Sequence, residues 1–402
     1  MWNLRSSCRK RKKQTDVGET MEGIGDDKNC LSIISRFRET TATDAQTLTD
    51  GVRLKNSDVI LPWIGYGTYK LGKEIARDCT LEALQQGYRA IDTAFIYGGE
   101  TTERQVGLAI QDAIDMGILE TREDLFIITK HWRKYHGYEP ALECLRLSLT
   151  RLNLDYVDLW LMHWPGPAWK TMNRRKDEMA KHGEWHYAVH PQDELPDIRA
   201  ETWRAMEDAY KSGKVRAIGV CNFTIQHLER LKGTATIWPP AVNQIECHPI
   251  FPQTELVEYC TKEGIVVQAY SSLGGQDVGK KYWRMLYPLI QGQKVKTDAV
   301  TSLLTAPPVL QVAQQVNRTP AQVLLRWALE KNMVLVPKTS NKGRMVENTK
   351  ALEFSLSKEQ VAWLDNQFQK SLKRAAETEG VRIESLSRLC WKNDPLRDLD
   401  FE

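Results

Sequence analysis

Three apolar runs in the first half of the chain each end on a group that can hold or move a proton. In Arg89–Glu100 (RAIDTAFIYGGE) a short apolar strand around Ala90 and Ile91 opens into a polar turn carrying Asp92 and Tyr97. Leu125–Lys130 (LFIITK) finishes on a lysine and Val157–His163 (VDLWLMH) on a histidine. A carboxylate at the end of a buried strand needs a partner, because an unpaired buried charge is expensive. Asp92, Tyr97, Lys130 and His163 at the ends of successive strands therefore point to one converging proton-transfer site.

Reduction of a carbonyl group needs such a set. A proton must reach the oxygen, and developing alkoxide charge must be stabilised. A tyrosine hydroxyl, with an ordinary pKa near ~10, is a sluggish acid at neutral pH. A nearby ammonium lowers that value by stabilising phenolate, and a carboxylate beyond it keeps the ammonium charged and aimed. Tyr97, Lys130 and Asp92 match these roles, and His163 can orient or polarise the substrate oxygen. Lys130 also suits Schiff-base chemistry, so the four residues leave both reactions open until a cofactor is identified.

These side chains meet only if the strands that carry them lie side by side. From Trp63 onward the chain alternates apolar runs with helical patterns, in eight strand–helix units ending with Val334–Lys338 and Lys342–Leu352. The seventh unit predicts a single helix over Val309–Glu330. Continuous apolar strands fit a parallel sheet covered by helices, and Gly87, Gly117, Gly213, Gly264 and Asn332 read as left-handed helix ends. Eight units favour a closed (β/α)8 TIM barrel, whose sites lie at the C-terminal ends of the strands. Val52–Leu61, alternating around Asn56-Ser57-Asp58, predicts a β-hairpin before the barrel. Residues 1–50 read as a disordered polar and basic tail, leaving 51–402 for the barrel and a C-terminal loop. Two long excursions, Gly166–Asp197 and Gly274–Pro308, follow strands and are expected to overhang the mouth.

The eighth unit, VLVPKTSNKGRMVEN, brings Lys338 and Arg344 to a strand end and helix start, where these barrels bind phosphate. Two cations beside hydroxyls suit the 2′-phosphate of NADP better than the bare ribose of NAD. No G-x-G-x-x-G follows a strand, which argues against a Rossmann mode of dinucleotide binding.

With these residues in view, the chain resembles the aldo-keto reductase superfamily from about Val52 to Leu364. The resemblance is carried by GYGTYKLG, GYRAIDTAFIYGGE, ITKHW, LWLMHWPG, AIGVCNF, NQIECHP, QAYSSLG and VPKTSNKGRMVEN. It implies NADPH-dependent reduction of aldehydes and ketones on a (β/α)8 barrel, with Asp92, Tyr97, Lys130 and His163 as the catalytic set. It also implies nicotinamide contacts from Thr68, Cys221, Asn222 and Gln244, with Tyr270 stacking on the ring. Ser271 and Leu273 would line the pyrophosphate side, and Lys338, Thr339, Arg344, Glu347 and Asn348 the adenosine phosphate. Tyr69, Trp132, Trp164 and Trp391, with His163, would form an aromatic substrate pocket. Cys221 stands where the family usually has serine, a stronger hydrogen-bond partner. The superfamily also includes β-subunits of potassium channels, so a cofactor-binding interaction module is the rival reading.

The totals set outer limits. A chain of 402 residues with 42% hydrophobic and 27% charged residues is ordinary for a globular protein, and a net charge of +3 gives no strong pull toward nucleic acid or anionic membrane. No apolar run reaches the ~18 residues of a membrane span. Eight scattered cysteines without zinc-like spacing suit a reducing, cytoplasmic setting and no metal site. A monomer acting on a small carbonyl compound is the expected form.

Overall fold

The computed structural model describes residues 36–166, 195–275 and 302–379. Trp391, the C-terminal loop, the first 35 residues of the expected tail and most of both long excursions lie outside them.

The expected hairpin is present and is larger than the sequence suggested. Strand β2 (Asp50–Arg53) pairs antiparallel with β3 (Ile60–Pro62), and β1 (Arg38–Glu39) joins β2 in parallel. The tail boundary at residue 50 is thereby corrected, because residues 36–50 belong to the folded unit. Ala42 and Ala45 are buried, and the Arg38 guanidinium holds the buried Asp50 carboxylate with two bonds of 2.7 Å. This segment carries its fixed contacts in polar side chains, so an apolar-periodicity reading passes over it. The hairpin turn rests on loops that precede barrel strands: Asn56 donates to the Trp238 carbonyl at 2.8 Å, and Lys55 to that of Glu263 at 3.2 Å. It therefore covers the N-terminal face and leaves the other end of the strands open.

Eight parallel strands follow in chain order: β4 (Tyr66–Gly67), β5 (Ala90–Asp92), β6 (Phe126–His131), β7 (Leu159–Met162), β8 (Ile218–Cys221), β9 (Val242–Glu246), β10 (Val266–Tyr270) and β11 (Val334–Leu335). The sheet closes on itself between the first and the last. Ile64 bridges Leu335, and amides of Gly65 and Leu335 donate across the seam to Leu335 and Trp63 at 2.8 Å. A Cβ on Gly67 would lie 2.6 Å from the Val336 carbonyl, so the close seam requires glycine there. The result is the expected (β/α)8 barrel.

Helices α1 (Ala76–Gln85), α2 (Thr102–Asp115), α3 (Tyr138–Leu152), α4 (Leu195–Lys211), α5 (Ile225–Lys232) and α6 (Thr254–Glu263) fall where the periodicity put them. Gly87, Gly117, Gly213, Gly264 and Asn332 all have positive φ, as helix ends of this kind require. The helix expected over Val309–Glu330 is two, α7 (Pro307–Val316) and α8 (Pro320–Glu330). Asn317, left-handed at φ 50°, ends the first, and Thr319 caps the second through the Gln322 amide. Pro320, which has no N–H, enforces the break. Beyond α9 (Lys342–Thr349) a helix not read from the sequence, α10 (Lys358–Glu379), buries Leu364, Phe368 and Leu372.

Burial opposes ionisation of Asp50, but Arg38 and the amides of Gln46 and Thr47 outweigh it and hold this carboxyl well below its usual range. Its contribution to stability is therefore full above the unfolded value near ~3.9 and fades as pH falls below it. Asp50→Asn is expected to cost roughly 1–3 kcal/mol in urea unfolding at pH 7. The gap from the parent should narrow as the pH drops below about 4.

Candidate active site

Asp92 is the last residue of β5, and its in-register partner on β6 is Ile128. Lys130, two residues further along β6, lies on the same face, because side chains alternate along a strand. Its ammonium reaches Asp92 Oδ1 at 2.7 Å and the Thr93 carbonyl at 2.8 Å, with the lysine side chain fully buried. Asp92 Oδ2 accepts from Gln244 Nε2 at 2.8 Å, a bond that crosses the barrel from β9. A carboxylate can only accept, so it fixes which end of the Gln244 amide faces it. The same nitrogen donates to Gln268 Oε1 on β10.

Tyr97 lies on the turn after β5, with the Lys130 ammonium 5.0 Å from its ring centroid. The sequence suggested that this ammonium makes the phenol a stronger acid. Burial, followed by Asp92, Cys221 and Tyr69, pushes the Tyr97 phenol well above its ordinary value, so the ammonium acts against a larger opposing effect of lost water. Lys130 spends two of its three donors elsewhere and meets the face of the ring. Burial, then Lys130, Arg133 and His131, holds His163 well below the usual imidazole value. Both shifts favour the neutral forms, and the two ring centroids lie 5.9 Å apart.

Aromatic rings enclose this pair. Tyr69 lies 5.1 Å from Tyr97, and Trp132 5.9 Å and Trp164 6.3 Å from His163. Trp132 and Tyr69 are half-buried, whereas Trp164 is only 2% exposed, stacked on His163 and covered by the Arg133 guanidinium. His131, beside Lys130, is drawn down to about 4 by burial and packs against His136 and Trp160.

The residues assigned to a nicotinamide also cluster. Cys221 ends β8 and Asn222 follows it; Asn222 Nδ2 donates to the His163 carbonyl at 3.0 Å, and Tyr270 Oη donates to Asn222 Oδ1 at 2.7 Å. Cys221, Gln244 and Gln268 stand in register across three strands. Burial pushes the Cys221 thiol up, and it donates weakly to Gln244 Oε1 at 3.8 Å. That oxygen keeps acceptor capacity for a carboxamide N–H. Thr68 is fully buried and donates to the Asp92 carbonyl at 2.9 Å. Ser271, left-handed at φ 54°, and Leu273 are half-buried just beyond Tyr270.

At the other end Lys338 and Thr339 follow β11, and the Thr339 carbonyl accepts from Tyr66 Oη at 2.6 Å. Asn341 caps α9 through the Arg344 amide at 3.0 Å. Arg344 is exposed, Glu347 half-buried and Asn348 buried. Among the described residues neither Lys338 nor Arg344 forms an ion pair, whereas Lys342 is tied to Glu82 at 2.8 Å. Two unneutralised cations beside a capped helix start fit an anionic group such as a phosphate. The sequence reading missed Gln268 and the carboxylate clamp around Glu100. Gln268 is an inward-facing amide in an apolar strand, which alternation could have flagged. Among the described residues, no cluster of three or more His, Cys, Asp or Glu has metal-site geometry, and no helix is long and apolar enough to cross a membrane.

The aldo/keto reductase family profile matches residues 63–367. The chain is 38% identical over 321 residues to glyoxal reductase of Bacillus subtilis, covering 79% of this chain and 93% of that protein. It is 34% identical over 308 residues to aldo-keto reductase family 1 member A1 of Mus musculus, covering 76% and 85%. Among solved structures, an aldo-keto reductase of Bombyx mori in complex with NADP superposes with a TM-score of 0.62 at 30% identity, over 79% of this chain and 92% of that one.

Removing one member of a buried ion pair leaves the other charge uncompensated. Lys130→Met is expected to destabilise the protein by about 3–5 kcal/mol in urea unfolding. Adding Asp92→Leu should recover part of that loss, since an apolar pair needs no charge partner.

Proposed function

The chain belongs to the aldo/keto reductase family, and from that premise we propose that it is an NADPH-dependent reductase of aldehydes and ketones, with Tyr97 as proton donor. One observation carries this reading: the Lys130 ammonium, held between Asp92 and the Thr93 carbonyl, meets the ring of a buried phenol that faces His163.

When bound, NADPH supplies the hydride. Cys221, Asn222 and Gln244 would hold the nicotinamide carboxamide, with Gln244 Oε1 as acceptor, Tyr270 against the ring and Thr68 nearby. Ser271 and Leu273 would line the pyrophosphate. Lys338, Thr339, Arg344, Glu347 and Asn348 would hold the adenosine end, the two free cations meeting the 2′-phosphate. The raised Tyr97 phenol keeps its proton at neutral pH, which suits an acid that must protonate a forming alkoxide. Once the proton leaves, the phenolate gains the adjacent ammonium, so Lys130 stabilises the product state of the transfer rather than the resting state. The neutral imidazole of His163 offers an N–H to the substrate oxygen. Tyr69, Trp132 and Trp164 supply apolar walls, and Trp391 is expected to add to them.

The reductase relatives favour the enzyme over the channel-subunit reading. The five described cysteines, Cys79, Cys144, Cys221, Cys247 and Cys260, are free and buried, which supports a reducing compartment such as the cytoplasm.

Tyr97→Phe is expected to lower kcat by roughly 10²–10⁴-fold while NADPH still quenches tryptophan fluorescence at the parent's concentration. Full turnover in that variant would remove the proton-donor assignment. Lys338→Ala with Arg344→Ala should weaken NADPH by at least about tenfold and leave NADH nearly unchanged. Equal losses for the two cofactors would contradict the phosphate assignment.

A further inference from the structure

We propose that Arg151, on the outer helix α3, is a positioning residue for Tyr97, holding the turn Ala94–Thr102 in the shape that keeps the phenol against Lys130. The inference rests on the reading of Tyr97 as proton donor.

The turn has an unusual backbone. Gly98, Gly99 and Glu100 follow Tyr97 with φ of 59°, 64° and 74°, three left-handed residues in a row. Glycine adopts that conformation freely, whereas a glutamate pays for it in steric strain. Such a conformation persists only where the surroundings over-determine it.

Arg151 supplies the over-determination from both sides of the tyrosine. Before Tyr97, its guanidinium carbon lies 4.0 Å from the Phe95 ring centroid, and Nη1 donates to the Phe95 carbonyl at 3.5 Å. After Tyr97, Nη2 donates to Glu100 Oε2 at 2.8 Å, and Nη1 lies 3.6 Å from Glu103 Oε2. The second Glu100 oxygen is held by Lys134 at 3.1 Å, so both oxygens of the left-handed residue are tied to the barrel wall. The Tyr97 carbonyl in turn accepts from the amides of Glu100 and Thr102 at 3.1 and 3.3 Å. Fixing Glu100 therefore fixes the peptide that carries the phenol.

The Arg151 side chain is only 16% exposed, so these contacts are screened less than a surface pair. A planar fork can meet a carboxylate, a carbonyl and a ring face together, and a lysine cannot. Among the described residues, Arg151 bonds to Phe95, Glu100 and Glu103 and to none of the nicotinamide or phosphate residues. Loss of the clamp should thus reach turnover without reaching cofactor binding.

The test uses the full-length protein with Arg151→Met, Arg151→Lys, Glu100→Gln and the Arg151→Met/Glu100→Gln double variant. The readouts are kcat, KM, NADPH affinity by fluorescence quenching, and hydrogen exchange by mass spectrometry. Arg151→Met should lower kcat at least about tenfold at unchanged NADPH affinity, since small misplacement of a reacting group is costly. Exchange should rise in the peptide spanning 94–105 and stay at the parent level over 218–246. Arg151→Lys should recover part of kcat, and the double variant should be no worse than Arg151→Met. Unchanged exchange over 94–105, kcat within about twofold of the parent, or loosening throughout the chain would each overturn the proposal. Arg151→Lys keeps the charge and Glu100→Gln keeps the side-chain shape, and raised exchange over 94–105 with lowered kcat in Glu100→Gln decides the matter if Arg151→Met does not fold. If the parent itself reduces no carbonyl under NADPH, the functional reading falls, and the exchange arm alone decides the clamp.

Discussion

The site depends on one buried ion pair. The fully buried Lys130 ammonium and the Asp92 carboxylate are held at 2.7 Å in the barrel interior, where taking either charge out of water alone is costly. The pair survives because further hydrogen bonds support both charges. The Thr93 carbonyl takes a second lysine donor, and Gln244 satisfies the second carboxylate oxygen from the opposite side of the barrel. A closed barrel makes this possible, since β5 and β9 stand four strands apart in a ring of eight and their inward side chains share the same narrow interior. Asp92 also imposes direction, because an acceptor-only group sets the Gln244 amide, and that amide sets Gln268.

The electrostatics around this pair follow from burial more than from the pair itself. Tyr97 and His163 are both driven toward their neutral forms by loss of water, and the cations near His163 push the same way. In the resting state the phenol therefore keeps its proton, although an ammonium lies over its ring. Under the proposed reading, the ammonium acts on the phenol as negative charge develops there. This is electrostatic preorganisation, paid for in folding and not in the chemical step.

Much of this organisation was legible in the residues. Apolar runs, helix-end glycines and polar residues at strand ends pointed to the barrel, and the motif segments carried the resemblance to the family. The misreadings share one cause. Val309–Glu330 has continuous helical periodicity, but Asn317 and Pro320 break its backbone. Residues 36–50 lack periodicity, but Arg38 and Asp50 fold them onto the hairpin. In each case a specific contact or backbone restriction overrode the local pattern.

The sequence by itself determined which chemical groups were present, that they ended strands, and that two cations flanked the passage from the last strand into the helix after it. Those properties depend on neighbours within a few residues, through side-chain alternation and helical period. Only the tertiary structure decided that Gln244 bonds to Asp92 across the barrel, that burial drives Tyr97 and His163 toward their neutral forms, and that Arg151 brackets the turn carrying the phenol. These depend on strand register, ring closure and exclusion of water, which arise between residues far apart in the chain and leave no trace in local spacing.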